Sequence, residues 1–95
     1  MFGGVGLYRG GVMFGLVSDD QIYFKVDEGN AAEYERRGLE PFRYERSGKM
    51  VTLSYRSVPE ELFDDADELC LWARAAWEAA LRAQKRERRP RPHDR

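Results

Sequence analysis

The sequence predicts an α+β domain in which a five-stranded antiparallel sheet packs with helices in two layers, in the order β-β-β-α-β-β-α. Short apolar runs separated by turn-forming residues indicate strands joined in hairpins. A long apolar stripe at helical spacing near the C-terminus indicates a helix that needs a sheet to cover. With 95 residues, of which 42% are hydrophobic and 35% charged, the chain has the composition of one soluble domain with a thin core.

Three strands are predicted at the N-terminus, over residues 5–8, 12–18 and 22–26. The sequence RGG between the first two indicates a hairpin turn, because glycine tolerates positive φ. The second strand is apolar on both faces, as in the centre of a sheet, and SDDQ supplies the next turn. The third strand alternates apolar and polar residues with a period of two.

A short helix and a second hairpin are predicted next. Asn30 is the expected N-cap of a helix over residues 31–37, and Gly38 is the expected stop. Residues 42–46 and 50–55 flank SGK, a sequence that favours a tight turn. The short helix therefore lies between two antiparallel hairpins.

The C-terminal part of the chain predicts a long helix. Asp65 followed by Glu68 fits an acidic capping signal, and Asp64 followed by Asp67 fits nearly as well. The residues at helical spacing on one face should pack on the sheet. This stripe comprises Leu69, Trp72, Ala73, Ala76 and Ala80.

Acidic and basic residues are unevenly divided along the chain. Residues 1–81 carry nine basic and fifteen acidic residues, a net charge of −6, whereas 82–95 carry seven and two, a net charge of +5. Prolines end the helix after about Arg88. We therefore predict a domain over 1–88 and a disordered basic tail over 89–95.

The basic residues of this C-terminal segment are the candidates for nucleic-acid contact, because they would release counterions from phosphates. In the alternative interpretation, they complement the helix dipole and confer solubility. The acidic body of the domain would also repel a phosphate backbone. The candidates are Arg82, Lys85, Arg86, Arg88, Arg89 and Arg91.

Six of the nine glycines fall in the first fifteen residues. The run that starts at Gly4 has Arg9 where a dinucleotide fingerprint needs its third glycine, and a strand rather than a helix follows it. It also lacks the Gly-Lys-Ser/Thr ending of a P-loop. We interpret Gly3, Gly4 and Gly6 instead as positions where a strand starts in tight contact with another backbone.

No residue pattern indicates a catalytic site, a metal or a cofactor. His93, the single histidine, falls in the predicted tail, where nothing would orient it as a base. Cys70 lies among apolar helix residues, which favours a small core or boundary residue over a functional thiol. The carboxylates cluster at turns and at a helix start, without the spacing of a calcium loop.

The expected location is the cytoplasm. No apolar run approaches the length of a membrane span, and the chain does not open with a secretory signal pattern. A single cysteine also fits a reducing compartment.

The two tryptophans differ by five positions and therefore leave the helix in different directions. Trp72 falls on the stripe that should face the sheet. Trp77 falls at the border of that stripe, where it would lie beside a partner surface or a neighbouring subunit.

Several segments together resemble the TfoX/Sxy N-terminal domain family: MFGGVGLYRGGVMFGLVSDDQIYFKVDE, GLEPFRYE, LSYRSVPEEL and DELCLWARAAWEAA. They cover roughly residues 1–82 in order, and MFGGVGLY and YFKVD are the most specific. The resemblance implies a two-layer domain of order α-β-β-β-α-β-β-α. It also implies kinship with bacterial regulators of natural competence that act with the cyclic-AMP receptor protein at promoters.

The chain departs from the family pattern at both ends. The leading helix of the family would precede MFGG, so either the start codon is misassigned or the protein lacks this helix. We also expect the separate C-terminal domain of the family to be absent, with a basic, proline-containing segment in its place. We therefore expect the sheet face left by that helix to be covered by a protein partner, by a second copy in a homodimer, or by the long helix. The resemblance transfers no catalytic residue.

These observations predict a non-enzymatic protein-interaction module that is accessory to transcription or competence regulation. The expected contacts are Gly3, Gly4 and Val5 in the first strand, with Trp77 farther out. The alternatives are weak binding of nucleic acid through the tail and an enzyme with no recognisable site.

Overall fold

The computed structural model describes residues 4–88, and these form the predicted α+β domain. Gly3 and the predicted tail, residues 89–95, lie outside the described residues. The elements are β1 (Val5–Arg9), β2 (Val12–Ser18), β3 (Gln21–Lys25), α1 (Ala31–Arg36), β4 (Pro41–Arg46), β5 (Lys49–Ser57), a 3-10 helix (Glu60–Asp64) and α2 (Ala66–Arg88).

Within residues 4–88, the five strands form one antiparallel sheet in the order β1-β2-β3-β5-β4. The strands β1 and β4 are therefore its edges. The predicted fold class and element order are confirmed, and the strand boundaries differ from the predictions by one or two residues.

The hairpins β1–β2, β2–β3 and β4–β5 each close through two residues with positive φ. Positive φ at both loop positions fits a type I′ turn, whose twist matches that of the flanking strands. The turns predicted at RGG, SDDQ and SGK are thus confirmed. The loop pairs are Gly10 and Gly11 (58° and 79°), Asp19 and Asp20 (53° and 62°), and Ser47 and Gly48 (53° and 79°).

Asn30 precedes α1, but its side chain does not cap the helix as predicted. Its Oδ1 accepts a hydrogen bond from the backbone N–H of Asp27 at 2.8 Å, and its Nδ2 donates to the carbonyl of Lys25 at 3.0 Å. The side chain therefore fixes the loop between β3 and α1. Gly38, with a φ of 67°, follows α1 in the left-handed conformation expected of a stop.

Asp65 caps α2, as the first of the two alternatives predicted. Its Oδ1 accepts a hydrogen bond from the backbone N–H of Glu68 at 3.2 Å. The Glu68 carboxylate accepts from Nε1 of Trp72 at 3.1 Å. The 3-10 helix before α2 was not predicted, because VPEELFDD is too short and polar to show a helical period.

The inner face of α2 packs across β2 and β3 and closes the core. Trp72, Ala76 and Ala80 are buried, which confirms the predicted stripe. The Trp72 ring meets the ring of Tyr34 from α1 edge-on, with centroids 4.8 Å apart. Phe24 of β3 belongs to the same cluster.

Apolar side chains also lie on the opposite face of the sheet, because successive residues of a strand alternate between faces. Tyr23 follows this pattern and meets Phe42 edge-on at 4.9 Å, and Phe42 stacks on Tyr44 at 6.0 Å. Leu16 pairs with Tyr23 and is fully buried. The expectation that a partner or second copy covers a sheet face stays a prediction.

The backbone contact that was expected at Gly6 is found instead at Gly15. A Cβ on Gly15 would lie 2.8 Å from the carbonyl oxygen of Tyr23 in the neighbouring strand. A Cβ on Gly6 would instead meet the ring of Tyr8, at 2.7 Å. The predicted backbone contact is therefore wrong for Gly6, whose neighbour is a side chain.

Candidate protein-interaction surface

The edge strand β1 offers unpaired backbone groups on one side, because it pairs with β2 alone within residues 4–88. Val5, its first residue, is 65% exposed. Natural edge strands are commonly protected by charged residues, proline or bulges. The sequence of β1, VGLYR, carries a single charge at its last residue, Arg9.

The other edge strand, β4, is protected in the usual way. Its sequence PFRYER combines a proline with three charged residues, and its pairing with β5 is irregular between Pro41 and Arg43. The pairing of β1 with β2 is also irregular, between Leu7 and Tyr8, so the two edges differ in proline and charge alone. On these two features β1 is the edge more open to another strand.

A shallow hollow of about 380 Å³ lies between the end of β1 and α2. Its wall is mostly apolar, and Leu71 on its rim is 62% exposed although it is a large hydrophobic residue. We call this feature the β1–α2 hollow. It is lined by Arg9, Phe14, Cys70, Leu71, Ala73, Arg74 and Trp77.

Trp77 joins α2 to the edge strand at this hollow. Its Nε1 donates a hydrogen bond to the carbonyl of Arg9 at 3.3 Å, and the Arg9 guanidinium lies 4.4 Å from the centre of its ring. The ring is half-buried. Trp77 thus lies at the border of the core stripe, as its spacing predicted.

The predicted contact residues that fall within residues 4–88 lie along one edge of the domain. Gly4 is exposed at a bend just before β1, and Val5 begins that strand. Trp77 contacts Arg9 at the other end of β1, about 13 Å away along the strand. The structure therefore places Val5 and Trp77 at opposite ends of the same edge.

Cys70 is exposed at the hollow, whereas the sequence favoured a core or boundary position. The prediction failed because its neighbours in sequence are apolar, while a helix turns each successive residue by about 100°. Phe14, which comes from β2, was not singled out from the sequence. Only the packing of α2 on the sheet places these two residues together.

Arg82, predicted to contact nucleic acid, is engaged within the domain. Its Nε and Nη2 donate to the two carboxylate oxygens of Asp27 at 2.7 and 2.8 Å. The hydrogen bond from Arg82 and that from the Gly29 backbone N–H lower the pKa of Asp27 below its ordinary value. This pair fastens the C-terminal half of α2 to the loop that follows β3.

Lys85 and Arg86 are exposed on α2 and, among residues 4–88, form no ion pair within 4 Å. Arg88 ends α2, and Arg89 and Arg91 lie outside the described residues. Nucleic-acid contact by these residues stays a prediction.

Lys25 is half-buried, and the sequence pattern did not identify it as a candidate functional residue. Its Nζ donates to Oγ of Ser54 at 2.6 Å and lies 5.2 Å from the centre of the Tyr55 ring. Burial lowers the pKa of this lysine. Its place in a strand of alternating polarity was the signal available, and that pattern equally fits a solvated residue.

Among the described residues, no three His, Cys, Asp or Glu side chains converge as metal ligands would. His93, the single histidine and therefore the candidate catalytic base of that type, lies outside the described residues. Within residues 4–88, no helix is both long and apolar enough to cross a bilayer.

The fold and surface define a small α+β domain whose accessible features are an open edge strand and an apolar hollow. The sequence profile of the TfoX N-terminal domain matches residues 1–80, and the chain belongs to this family. The predicted resemblance is therefore confirmed.

One relative is the DNA transformation protein TfoX1 of Aliivibrio fischeri (strain ATCC 700601 / ES114). It is 37% identical over 60 residues, which amount to 63% of this chain and 29% of the relative. The matched region thus spans less than a third of the length of that protein.

Proposed function

We propose that this chain is a non-enzymatic, cytoplasmic protein-interaction module that acts as an accessory factor in competence or transcription regulation. Membership of the TfoX N-terminal domain family and the similarity to a DNA transformation protein support the regulatory role. The observation that carries the interaction role is the open edge of β1, with the β1–α2 hollow at its end.

The partner would add a strand to β1 and place an apolar side chain in the hollow. Strand addition draws affinity from backbone hydrogen bonds and specificity from nearby pockets. Arg9 and Arg74 line the hollow within a body whose net charge is otherwise acidic. A segment that combines apolar and acidic residues would therefore fit this surface best.

Deletion of the gene tests the regulatory role. We expect the transformation frequency of the source organism to fall at least about tenfold and to return when the intact chain is supplied. An unchanged frequency in the deletion strain, measured under conditions that induce competence, would contradict the role.

Weak nucleic-acid binding is the second candidate function, and the observation that favours it is the unpaired state of Lys85 and Arg86 within residues 4–88. A variant with Lys85→Gln, Arg86→Gln and Arg88→Gln tests it, because this variant keeps the Arg82–Asp27 contact. Fluorescence anisotropy with duplex DNA should show binding that falls with salt and is lost in the variant. Binding by neither protein would exclude this function, and equal binding by both would exclude Lys85, Arg86 and Arg88 as the residues that carry it.

A further inference from the structure

The outer face of α2 carries a stripe of residues spaced alternately by four and three positions, the spacing of a heptad seam. The opposite face of the helix packs on the sheet, so this stripe points away from the domain. All of its members are exposed except Leu81, which is half-buried. The stripe comprises Asp67, Leu71, Arg74, Glu78, Leu81 and Lys85.

The chemical order along this stripe is acid, leucine, base, acid, leucine, base. Reversing the order exchanges every acid for a base and returns each leucine to a leucine. An antiparallel copy would therefore be complementary at every position. A parallel copy in register would oppose like charges at every charged position.

We propose that the outer stripe of α2 binds the same stripe of a second copy, antiparallel, about a twofold axis near Ala76. Leu71 then packs on the partner's Leu81, and Arg74 pairs with the partner's Glu78. Asp67 pairs with the partner's Lys85, so the contact extends over about 27 Å of helix. This inference rests on the proposed role as an interaction module and assigns the outer stripe of α2 to self-association. Leu71 and Arg74 belong to both the stripe and the β1–α2 hollow, so a second copy would compete with a β1 partner for the hollow but not for the strand edge itself.

The charged members of the stripe are available for this pairing. Among residues 4–88, Asp67, Arg74, Glu78 and Lys85 form no ion pair within 4 Å in their own chain. Two half-buried residues beside the stripe, Ala75 and Trp77, widen its apolar part. The charges supply orientation, and the leucines supply the buried area.

The expected dimer is weak and sensitive to salt. Each helix contributes two leucines, and the four ion pairs lie at positions open to solvent, where ions screen them. Such a contact falls at the small end of specific interfaces, below about 1,200 Å². Dissociation should therefore increase between low and high ionic strength.

Charge reversal in the full chain tests the proposal by sedimentation equilibrium. Arg74→Glu places a carboxylate opposite the partner's Glu78. Because the two like charges repel, we expect the dissociation constant of the dimer to rise at least about tenfold. The double variant Arg74→Glu/Glu78→Arg restores complementarity and should restore the dimer. Arg46→Glu, on the exposed end of β4, is the matched control and should leave dissociation unchanged.

A monomeric wild-type chain, or a double variant no tighter than Arg74→Glu, would overturn the proposal. Either result leaves the role of β1 standing, because that role is measured by transformation and not by self-association. Circular dichroism of each variant separates lost pairing from lost folding.

Cysteine cross-linking tests the antiparallel register directly. With Cys70→Ser as background, the variant Asp67→Cys/Lys85→Cys should oxidise to a covalent dimer that joins position 67 to the partner's position 85. The control with Asp67→Cys alone should not cross-link, because its two sulfurs would be separated by about 27 Å along the paired helices. Efficient cross-linking of that control would indicate a parallel arrangement and overturn the proposal.

Discussion

Tyr34 is only 2% exposed, and its buried hydroxyl has no hydrogen-bond partner among the described residues. Burial also raises the pKa of this phenol well above its ordinary value. The ring is held by its edge-on contact with Trp72. The aromatic ring therefore stabilises the folded protein, whereas the unpaired hydroxyl destabilises it.

Tyr34→Phe should therefore increase the free energy of unfolding by about 1 kcal/mol, because it removes an unsatisfied polar atom and keeps the ring. Tyr8→Phe, at an exposed tyrosine, is the matched control and should change little. Urea denaturation measures both. A loss of stability in Tyr34→Phe would indicate that the hydroxyl has a partner in solution.

Asp27 and Arg82 form a contact between two side chains that are 55 positions apart in the sequence. The Asp27 side chain is 5% exposed, while that of Arg82 is 46% exposed. Losing the arginine would leave a nearly buried carboxylate with fewer donors. No local pattern could have predicted this contact, because it depends on where α2 crosses the loop after β3.

Arg82→Gln should lower the free energy of unfolding by about 1 kcal/mol at neutral pH, whereas Arg46→Gln should not. Because the pKa of Asp27 is lowered in the folded state, its contribution is present above the ordinary aspartate pKa and is lost as pH falls through the lowered value. The difference between wild type and Arg82→Gln should thus close below about pH 4. A difference that persists in stronger acid would contradict the assignment.

At the scale of elements, β2 depends on Gly15 for its approach to β3. A Cβ there would lie 2.8 Å from a backbone oxygen and 3.1 Å from the Phe24 ring, and neither can move freely inside a sheet. At Gly6 the obstacle is the exposed ring of Tyr8, which can rotate away.

Gly15→Ala should therefore lower the free energy of unfolding by about 1–3 kcal/mol, and Gly6→Ala by clearly less. Thermal and urea denaturation of the two variants provide the comparison. Equal losses would mean that the sheet relaxes around Gly15, so that the close approach is not fixed.

Most elements could be predicted because their signals are local. Hairpin turns depend on two loop residues, and the α2 stripe depends on helical spacing, so RGG, SGK and the Trp72 face were recognisable. The role of Asn30 was wrong, because an asparagine before a helix has several backbone partners within reach. The exposure of Cys70 and the β1–α2 hollow depend on how elements pack, which spacing alone does not encode.

At the scale of the whole molecule, the two edges of the sheet and the outer face of α2 are three surfaces that differ in residue composition. The β4 edge is protected by charge and proline, the β1 edge is open, and α2 carries a self-complementary stripe. Val5 and Trp77 were predicted as contacts from the sequence, and the structure places both along the open edge. The partner on that edge stays a proposal.

The most direct test of the interaction role of β1 is the transformation frequency of a deletion strain supplied with Val5→Lys. Lysine on an open edge strand blocks strand addition, and Val5 is exposed enough to accept it without loss of the fold. We expect Val5→Lys to fail to restore transformation, while Thr52→Lys, at an exposed position on β5, restores it fully. Full restoration by a folded Val5→Lys protein would contradict the central claim that β1 carries the interaction.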